Sequence, residues 1–264
     1  MYFKIIPISF IEKFYKQIKN NIKDLLAKYN FKLVKLNTHI SLEAFVKKIK
    51  DANIVIDLVY DCGGYVGEWS EKMRFLLPKC EFIVFEPNFI HNKAIVARGF
   101  KNIINIPLAS REKKVTWYGN GSTGDSIYRE SLNPKYTNFR TVFANSLDNL
   151  YKDNKLGSKL PDLIKLDTQG SEIEILKGAA VALKNAKFVI MEMPIMVYNH
   201  NAPLFQEYVK FMLINGFLPF AVIEEHRLHN VLIQIDCAFI NKNLVEPNND
   251  RFIELTNKFY NISS

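Results

Sequence analysis

An acidic residue followed by a glycine-rich turn is the feature of this chain with the clearest chemical meaning. An apolar run ends in Asp61, and Gly63, Gly64 and Gly67 follow before an amphipathic segment begins at Glu68. This order is typical of a buried strand, a tight turn and a helix N-terminus, where an open α/β sheet binds a nucleotide-like ligand. Because glycine has no Cβ, the backbone of such a turn can approach the ligand closely.

A second acidic residue, Glu86, ends the next apolar run, Phe82 to Phe85, and is followed by Pro87. A carboxylate at the end of the second strand of such a fold accepts hydrogen bonds from both hydroxyls of a ribose. We therefore expect Asp61 and Glu86 to lie on either side of an adenosyl ligand.

The composition of the turn favours one class of adenosyl ligand. A dinucleotide is bound by G-x-G-x-x-G, whereas the pattern here is Asp-x-Gly-Gly-x-x-Gly. The carboxylate of Asp61 would repel a pyrophosphate but attract the ammonium group of S-adenosylmethionine, directly or through a water. The alternative is that Asp before Gly-Gly only forms a turn. The predicted cofactor-binding residues are Asp61, Gly63, Gly64, Tyr65, Gly67, Glu86 and Pro87.

Length and composition are those of an ordinary globular protein. The chain has 264 residues, of which 48% are hydrophobic and 23% are charged, so we expect one sizeable α/β domain with an extension. Its apolar runs are shorter than the roughly 18 residues that span a bilayer, and its start lacks the features of a secretory signal. Three widely spaced cysteines predict neither a disulfide framework nor a zinc site. The expected compartment is the cytoplasm.

Positive charge is concentrated near the N-terminus. Residues 1–50 contain 11 lysines and three acidic residues, whereas residues 51–264 contain 24 basic and 24 acidic side chains. Apolar residues recur every three or four positions between Phe10 and Tyr29, which predicts an amphipathic helix of about 20 residues. Such a basic helix can dock on the domain, cover an acidic substrate or lie on an anionic membrane. Peripheral contact at the inner membrane face would then involve residues 10–30.

After residue 50, short apolar runs alternate with helical periods, which predicts a mainly parallel sheet with helices on both faces. Strands are predicted near residues 54–60, 82–86, 103–107, 162–167, 187–193, 217–224 and 231–240. Helices are predicted near residues 68–77, 88–98, 145–151, 172–184 and 203–215. Only a short polar stretch, residues 224–230, joins the last two strands, so they should pair antiparallel. The predicted fold class is α/β, with a Rossmann-like, mainly parallel seven-stranded sheet that ends in an antiparallel hairpin.

A long insertion, about residues 111–144, separates the third and fourth predicted strands. It contains Gly119, Gly121 and Gly124 without apolar periodicity, so it is either a lid over the acceptor site or the tip of a hairpin. The predicted organisation is a basic helical extension over residues 1–50, a catalytic domain over residues 51–242 and a polar tail over residues 243–264.

Three further acidic residues are candidates for catalysis. Asp167 ends the fourth predicted strand, Glu172 begins the helix that follows, and Glu192 ends the fifth strand. Because the carboxyl ends of adjacent strands line one crevice, these acidic residues should lie at the same edge of the sheet as Asp61 and Glu86. Ser171 and Glu174 have the spacing of a capping box, so helix initiation explains part of this segment.

A carboxylate at this edge could receive the proton in a methyl transfer to oxygen, an in-line displacement that is helped by positioning. Asp167 and Glu192 are the candidate bases, and the histidines near predicted loops are alternatives, namely His200, His226 and His229. Asp167 and Glu192 could instead hold a divalent cation such as Mg²⁺. The sequence has no dense metal-binding motif, however, and we predict no metal site.

These motifs resemble those of the FkbM-type methyltransferases, a class I family that uses S-adenosylmethionine, many of whose members methylate hydroxyls of sugars or natural products. The resemblance covers roughly residues 55–240, in the segments Val59–Gly67, Phe85–Pro87, Ser146–Asp148, Asp162–Glu172, Ile175–Ala179, Met191–Glu192 and Asp236–Phe239. It implies that the cofactor is bound by Asp61, Gly63 and Glu86, with its adenine near Leu108 and Ala109. It assigns the acceptor side to Asp167, Glu172 and Glu192.

Three functions follow from these observations. The first is an O-methyltransferase acting on a hydroxyl of a carbohydrate or nucleotide-linked sugar, such as a polysaccharide precursor, an acceptor class implied by the resemblance alone. The second is an RNA methyltransferase, motivated by the basic extension, although the neutral charge of the remaining chain argues against nucleic acid. The third is a non-catalytic sugar- or partner-binding module, because Tyr65 stands where the family commonly has Asn. The sequence leaves homo-oligomer formation open.

Overall fold

The computed structural model describes residues 40–129, 138–197 and 199–245. The chain divides into two compact units, residues 1–38 and residues 39–264, and all described residues belong to the second. The helix predicted between Phe10 and Tyr29 and the tail from residue 246 onward lie outside the described residues. In the described part of the chain, no helix is long and apolar enough to cross a bilayer.

The described residues form a seven-stranded sheet and a separate two-stranded hairpin. The strands are β1 Leu58–Cys62, β2 Glu81–Phe85, β3 Ile103–Ile104, β4 Lys113–Tyr118, β5 Phe139–Ala144, β6 Leu163–Leu166, β7 Phe188–Pro194, β8 Phe217–Leu228 and β9 Val231–Asn241. The sheet order is β3-β2-β1-β6-β7-β9-β8, and β4 pairs with β5. Within the large sheet, neighbouring strands are parallel among β3, β2, β1, β6 and β7, while β9 is antiparallel to both of its neighbours, β7 and β8. This order confirms the predicted fold class.

Helices precede and connect the strands. They are α1 Leu42–Asp51, α2 Glu68–Leu76, α3 Asn92–Ala97, α4 Leu147–Lys152, α5 Glu172–Leu176, α6 Ala180–Asn185 and α7 Phe205–Ile214. Strands β1, β6 and β7 are buried along their whole length, as expected where helices cover both faces of a parallel sheet. This burial explains why these strands appear in the sequence as continuous apolar runs.

Helix α1 belongs to the same core. Its apolar face consists of four buried residues, Leu42, Phe45, Val46 and Ile49. The ring of Phe45 packs edge-on against that of Phe188 on β7, with 5.3 Å between ring centroids. The predicted domain boundary after residue 50 therefore falls at the end of a helix that packs on the sheet.

Two helices differ from their predicted extents. The helix predicted over residues 172–184 is interrupted at Gly178, where a Cβ would lie 2.6 Å from the carbonyl oxygens of Ala109 and Ser110. The two backbones approach so closely that only glycine fits. The helix predicted over residues 88–98 begins as a 3₁₀ turn, Phe89–His91, before α3.

The final hairpin is longer than predicted. Strand β8 continues to Leu228, and the turn consists of His229 and Asn230, whose φ angles are 46° and 67°. A two-residue turn with positive φ at both positions matches the twist of a β-hairpin. His226, which was predicted near a loop, therefore lies on a strand. Because side chains alternate along a strand, Glu224 and His226 are directed to the same face.

Candidate functional site

Two adjoining clefts lie at the carboxyl ends of the parallel strands. The first contains about 560 Å³ of space and the second about 770 Å³, and both volumes include open solvent at the mouth of the cleft. The apolar lining of the first cleft includes Phe85, Ile106, Leu108, Trp117 and Ile175. The charged and imidazole side chains that line the second are Glu68, Lys165, Asp167, Glu192, Glu224, His226 and Asp236. Four residues line both clefts, namely Gly63, Tyr65, Thr123 and Asp167.

The glycine turn brings the backbone of β1 against the neighbouring strand ends. Gly63 has a φ of +83°, and a Cβ there would lie 1.9 Å from the carbonyl oxygen of Asp167. A Cβ on Gly64 would lie 2.2 Å from the side chain of Val84. Gly67, with a φ of 86°, begins α2 as its N-cap residue. Gly63 lines both clefts and Gly64 lines the second, and their contact with a cofactor stays a prediction.

Tyr65 and Glu86 are joined through the backbone. The N–H of Tyr65 donates to Oε2 of Glu86 at 2.8 Å, and the N–H of Asn88 donates to Oε1 at the same distance. Tyr65 has a φ of 45°, which is uncommon for a residue other than glycine. Its ring lies edge-on to that of His91, with 4.5 Å between centroids.

Glu86 lines the first cleft with its carboxylate buried at the end of β2. Burial raises the pKa of Glu86 to about 7, and the carboxylates of Asp125 and Asp61 act in the same direction. The two backbone N–H groups oppose this increase. Glu86 is therefore partly protonated at neutral pH while the cleft holds no ligand.

Asp61 lies beneath the clefts rather than at their surface. Its side chain is fully buried, its Oδ2 accepts a hydrogen bond of 2.6 Å from Ser70, and its Oδ1 lies 3.5 Å from Nζ of Lys165. The physical reason is that β1 extends through Cys62, so Asp61 is inside the strand instead of after it. The direct contact with an ammonium group is therefore not favoured, and the indirect role of Asp61 in cofactor binding stays a prediction.

Lys165 connects Asp61 to Asp167. Its Nζ lies 3.2 Å from Oδ2 of Asp167, and its side chain is 4% exposed. Burial alone would lower the pKa of Lys165, but the carboxylates of Asp167 and Asp61 keep it above its ordinary value. Burial would likewise raise the pKa of Asp167, but the ammonium of Lys165 and hydrogen bonds hold it below its usual range. Asp167 is therefore an ionised carboxylate, and it lies where the clefts meet.

Glu192 lies beside Asp167 and has the opposite titration behaviour. Burial raises the pKa of Glu192 well above its ordinary value, and the charge of Asp167 raises it further. Gln169 holds the two carboxyl groups together, because its Nε2 lies 2.9 Å from Oε2 of Glu192 and 3.2 Å from Oδ1 of Asp167. Glu192 therefore takes up a proton more readily than Asp167 does.

Glu172 has a structural role and lines neither cleft, and its predicted place on the acceptor side stays a prediction. The side chain is fully buried. Its Oε1 accepts hydrogen bonds from the N–H groups of Thr168 and Gly170 at 2.8 and 3.2 Å, and Oε2 accepts one of 2.6 Å from Tyr208. These bonds hold the turn after β6 in place. The tertiary contact with α7 decides this orientation, which the position of Glu172 in a helix could not indicate.

The predicted capping box of α5 is wrong, because neither of its side chains caps the helix. The hydroxyl of Ser171 donates to the carbonyl of Thr168 at 3.0 Å. The carboxylate of Glu174 accepts from the hydroxyl of Ser110 at 2.7 Å and also pairs with Lys113. Glu174 therefore anchors the segment that leads into β4.

Four carboxyl groups lie side by side across four neighbouring strands, β6, β7, β9 and β8. Asp167, one residue beyond β6, is level with Glu192 on β7. Glu192 pairs with Asp236 on β9, and Asp236 pairs with Glu224 on β8. His226 follows on β8, and its Nε2 lies 3.5 Å from Oδ1 of Asp236. The carboxylate of Asp236 raises the pKa of this imidazole.

No role was predicted from the sequence for Lys165, Glu224 or Asp236. A signal was present in the alternation of polar residues on the last two strands, where Glu224 and His226 are two residues apart, as are Gln234 and Asp236. The strand pairing that brings these residues together could not be read from that alternation alone. His200 and His229 are not among the residues that line the two clefts in the described part of the chain.

The glycine-rich segment of the insertion forms part of the wall of the first cleft, through Ser122, Thr123 and Asp125. The carboxylate of Asp125 accepts from the backbone N–H of Gly121 at 2.9 Å and from that of Ser122 at 3.2 Å. The hydroxyl of Ser126 donates to the carbonyl of Gln169 at 2.9 Å. The segment is thus tied to the turn after β6, while residues 130–137 lie outside the described residues.

The two residues expected near an adenine are adjacent but differ in position. Leu108 lines the first cleft, as does Pro87. Ala109 is fully buried, and its N–H donates to the carbonyl of Asn145 at 2.8 Å. Ala109 therefore supports the position of Leu108 from behind.

Solved structures with a similar fold include three methyltransferases. The chain is 14% identical to FkbM methyltransferase from Methylobacillus flagellatus, with a TM-score of 0.46 over 70% of this chain and 43% of that one. It is 10% identical to magnesium protoporphyrin IX methyltransferase from Synechocystis with bound SAM, with a TM-score of 0.42 over 75% of this chain and 79% of that one. It is 11% identical to an S-adenosylmethionine-dependent methyltransferase from Clostridium acetobutylicum, with a TM-score of 0.42 over 86% of this chain and 98% of that one. The chain spans less than half the length of the Methylobacillus protein. No curated protein matches the chain in sequence.

A protein-family comparison covers the first cleft and part of the second. The model of the methyltransferase FkbM domain matches residues 61–219, which is more than half of the 264-residue chain. The matched range contains the glycine turn, Glu86, Asp167 and Glu192. The chain therefore belongs to the FkbM methyltransferase family.

Proposed function

We propose that this protein transfers a methyl group from S-adenosylmethionine to a hydroxyl oxygen of a carbohydrate. The position of Asp167 carries the proposal, because this residue lines both clefts. A methyl donor in the first cleft and an acceptor in the second would meet beside its carboxylate. Membership of a methyltransferase family supports the type of reaction.

The residues of the first cleft fit an adenosyl group. Each carboxylate oxygen of Glu86 accepts one backbone N–H and keeps a lone pair for a ribose hydroxyl. The side chains of Ile106, Leu108 and Ile175 supply an apolar surface against which an adenine ring could pack.

S-adenosylmethionine, when bound, supplies a methyl group that is activated by the adjacent sulfonium. The protein's own residues have the task of orienting the acceptor hydroxyl and receiving its proton. Asp167 is suited to both tasks, because Lys165 keeps it ionised and 37% of its side chain is exposed. Gln169, which contacts both Asp167 and Glu192, holds the carboxylate of Asp167 in one orientation.

The lining of the second cleft supports an acceptor that is rich in hydroxyl groups. Five carboxyl side chains line it, namely Glu68, Asp167, Glu192, Glu224 and Asp236. Carboxyl oxygens accept hydrogen bonds from sugar hydroxyls, and ionised carboxylates repel phosphate. The diphosphate of a nucleotide-linked sugar would therefore lie outside this cleft, and an RNA backbone is disfavoured there.

The test is to incubate the purified chain with methyl-labelled S-adenosylmethionine and fractions of neutral oligosaccharides, sugar nucleotides and RNA. We expect label in the first or second fraction, bound through an alkali-stable ether. Label in RNA alone would contradict the proposal. Binding of S-adenosylmethionine measured by calorimetry separates an enzyme without its acceptor from a non-catalytic module, which would give no heat.

A further inference from the structure

The last three strands place carboxylates directly opposite one another in the second cleft. Glu192 is the register partner of Asp236, and Asp236 is that of Glu224. Asp236 and Glu224 are therefore two carboxylates at paired positions, where like charges destabilise a sheet, so this arrangement calls for a positive charge beside them. Of the described residues that line the cleft, two are basic, Lys165 and His226. Lys165 is already engaged by Asp61 and Asp167, which leaves only an imidazole near Asp236 and Glu224.

The geometry at this point suits a metal ion. One ligand atom each of Glu224, His226 and Asp236 lies within 4.8 Å of the others. Asp236 is 8% exposed, and its buried Oδ1 has no hydrogen-bond partner among the residues that the structure describes. The 3.5 Å between this oxygen and Nε2 of His226 is longer than a normal hydrogen bond. A buried carboxylate oxygen without a hydrogen bond is costly unless a cation binds it.

We propose that Glu224, His226 and Asp236 bind a divalent first-row transition metal ion in the second cleft. Two carboxylates and one imidazole are ligands that such ions accept, and the imidazole favours them over Mg²⁺. The remaining coordination positions face the cleft. The site is distinct from the Asp167 and Glu192 pair, which lies beside it along the same row.

The metal ion would bind the acceptor, a role that rests on the proposed function. Vicinal sugar hydroxyls coordinate a divalent cation, and coordination lowers the pKa of a bound hydroxyl. A carboxylate as weakly basic as Asp167 could then receive the proton of that hydroxyl. The ion would also offset the repulsion among the paired carboxylates.

Metal binding can be measured without donor or acceptor. The full chain is freed of metal with a chelator and titrated with Mn²⁺, and free Mn²⁺ is followed by electron paramagnetic resonance. We expect one site per chain, with affinity at least tenfold lower in His226→Gln and in Asp236→Asn. His226 is 39% exposed, so its replacement leaves the core intact, as circular dichroism can verify.

The matched control is Glu225→Gln. Glu225 precedes His226 on β8 but is directed to the other face, where it accepts hydrogen bonds of 3.0 and 3.1 Å from Arg227. Its variant should bind Mn²⁺ as the unaltered chain does. Failure of the unaltered chain to bind 1 mM Mn²⁺, taken as roughly the weakest affinity of a specific divalent site, would overturn the proposal. Equal affinity in all variants would overturn it as well. A chain that binds Mn²⁺ but not S-adenosylmethionine would reject the proposed function and keep the metal site.

Discussion

At the scale of single residues, the two clefts are organised by carboxyl groups whose charges are set by their neighbours. Lys165 holds Asp167 in the ionised form, whereas burial and the charge of Asp167 raise the pKa of Glu192 well above its ordinary value. Glu86 lies between these cases, with a pKa raised to about 7 by burial. Chemically similar side chains therefore have different tasks at one edge of the sheet.

Replacement of Asp167 tests the proposed proton acceptor. In Asp167→Asn, the amide cannot receive a proton, so we expect methyl transfer to fall by about 10² or more, while affinity for S-adenosylmethionine changes little. Label transfer and calorimetry measure the two quantities. Asp153→Asn, at an exposed carboxylate outside both clefts, is the control and should be fully active. Unchanged transfer in Asp167→Asn would remove this residue from the mechanism.

The raised pKa of Glu86 predicts how cofactor affinity depends on pH. The ionised carboxylate is the better acceptor for ribose hydroxyls, and below about pH 7 the free protein increasingly holds Glu86 protonated. Affinity for S-adenosylmethionine should therefore fall as the pH decreases from 7.5 to 5.5, by up to about tenfold per pH unit. Calorimetric titrations at several pH values measure this slope. In Glu86→Gln the affinity should be lower and nearly independent of pH, and an equal slope in both proteins would contradict the assignment.

At the scale of secondary structure elements, the site depends on turns that join the ends of parallel strands. The turn after β1 crosses the backbone after β6 so closely that Gly63 has no room for a Cβ. The turn after β6 is held by Glu172, which is bonded to Tyr208 on α7. The glycines and the helix that begins at Glu68 were predictable, because turn chemistry and helical periodicity are local. The role of Glu172 was not, because α7 is distant in sequence.

The glycine turn should tolerate no side chain at position 63. We expect Gly63→Ala to lower the free energy of unfolding by at least about 3 kcal/mol, because a positive φ and a clash with backbone act together. Gly157→Ala separates the two causes, since Gly157 has a φ of +72° but no described atom within 4 Å of the position that a Cβ would occupy. That variant should lose only about 1–2 kcal/mol. Urea unfolding measures both, and equal losses would show that the close approach is unimportant.

The contact between Tyr208 and Glu172 should stabilise the fold without taking part in the reaction. Tyr208→Phe removes the 2.6 Å hydrogen bond and leaves a buried carboxylate oxygen without it. We expect a loss of about 1–3 kcal/mol in the free energy of unfolding. Methyl transfer by the folded variant should stay within about threefold of the original, a change of under 1 kcal/mol in the barrier. Tyr151→Phe, which removes a more exposed hydrogen bond to Ser158, serves as the control and should cost less. A selective loss of activity in Tyr208→Phe would return Glu172 to the reaction.

At the scale of the whole molecule, charge is divided between two regions. Residues 1–50 have a net charge of +8, from 11 lysines and three acids, and the other 214 residues are neutral overall. Within the neutral part, the acidic residues of the second cleft form a local negative surface. A carbohydrate acceptor suits that surface, and an anionic partner would meet the N-terminal region instead.

Five lysines of the N-terminal region can be tested in the full chain by replacement with glutamine, at Lys13, Lys16, Lys19, Lys23 and Lys28. If this region lies on anionic membranes, binding to vesicles that contain phosphatidylserine should weaken by up to about 1 kcal/mol per lysine. Co-sedimentation at low and at 0.15 M salt measures the effect, and neutral vesicles are the control. Methyl transfer to a soluble acceptor should be unchanged. Equal binding by both proteins would show that these lysines are not the membrane contact.

The seven strands of the main sheet, the glycine turn and the family motif were predictable from the sequence alone, because periodicity and turn chemistry are properties of neighbouring residues. Helix α1 and the strands β4 and β5 were not among the predicted elements. The tertiary structure decided which carboxyl groups reach the clefts. It placed Asp61 and Glu172 in the interior and brought Glu224 and Asp236 beside Glu192. That selection depends on burial and on the register of β7, β9 and β8. Both arise from contacts between residues far apart in the chain, which no local pattern contains.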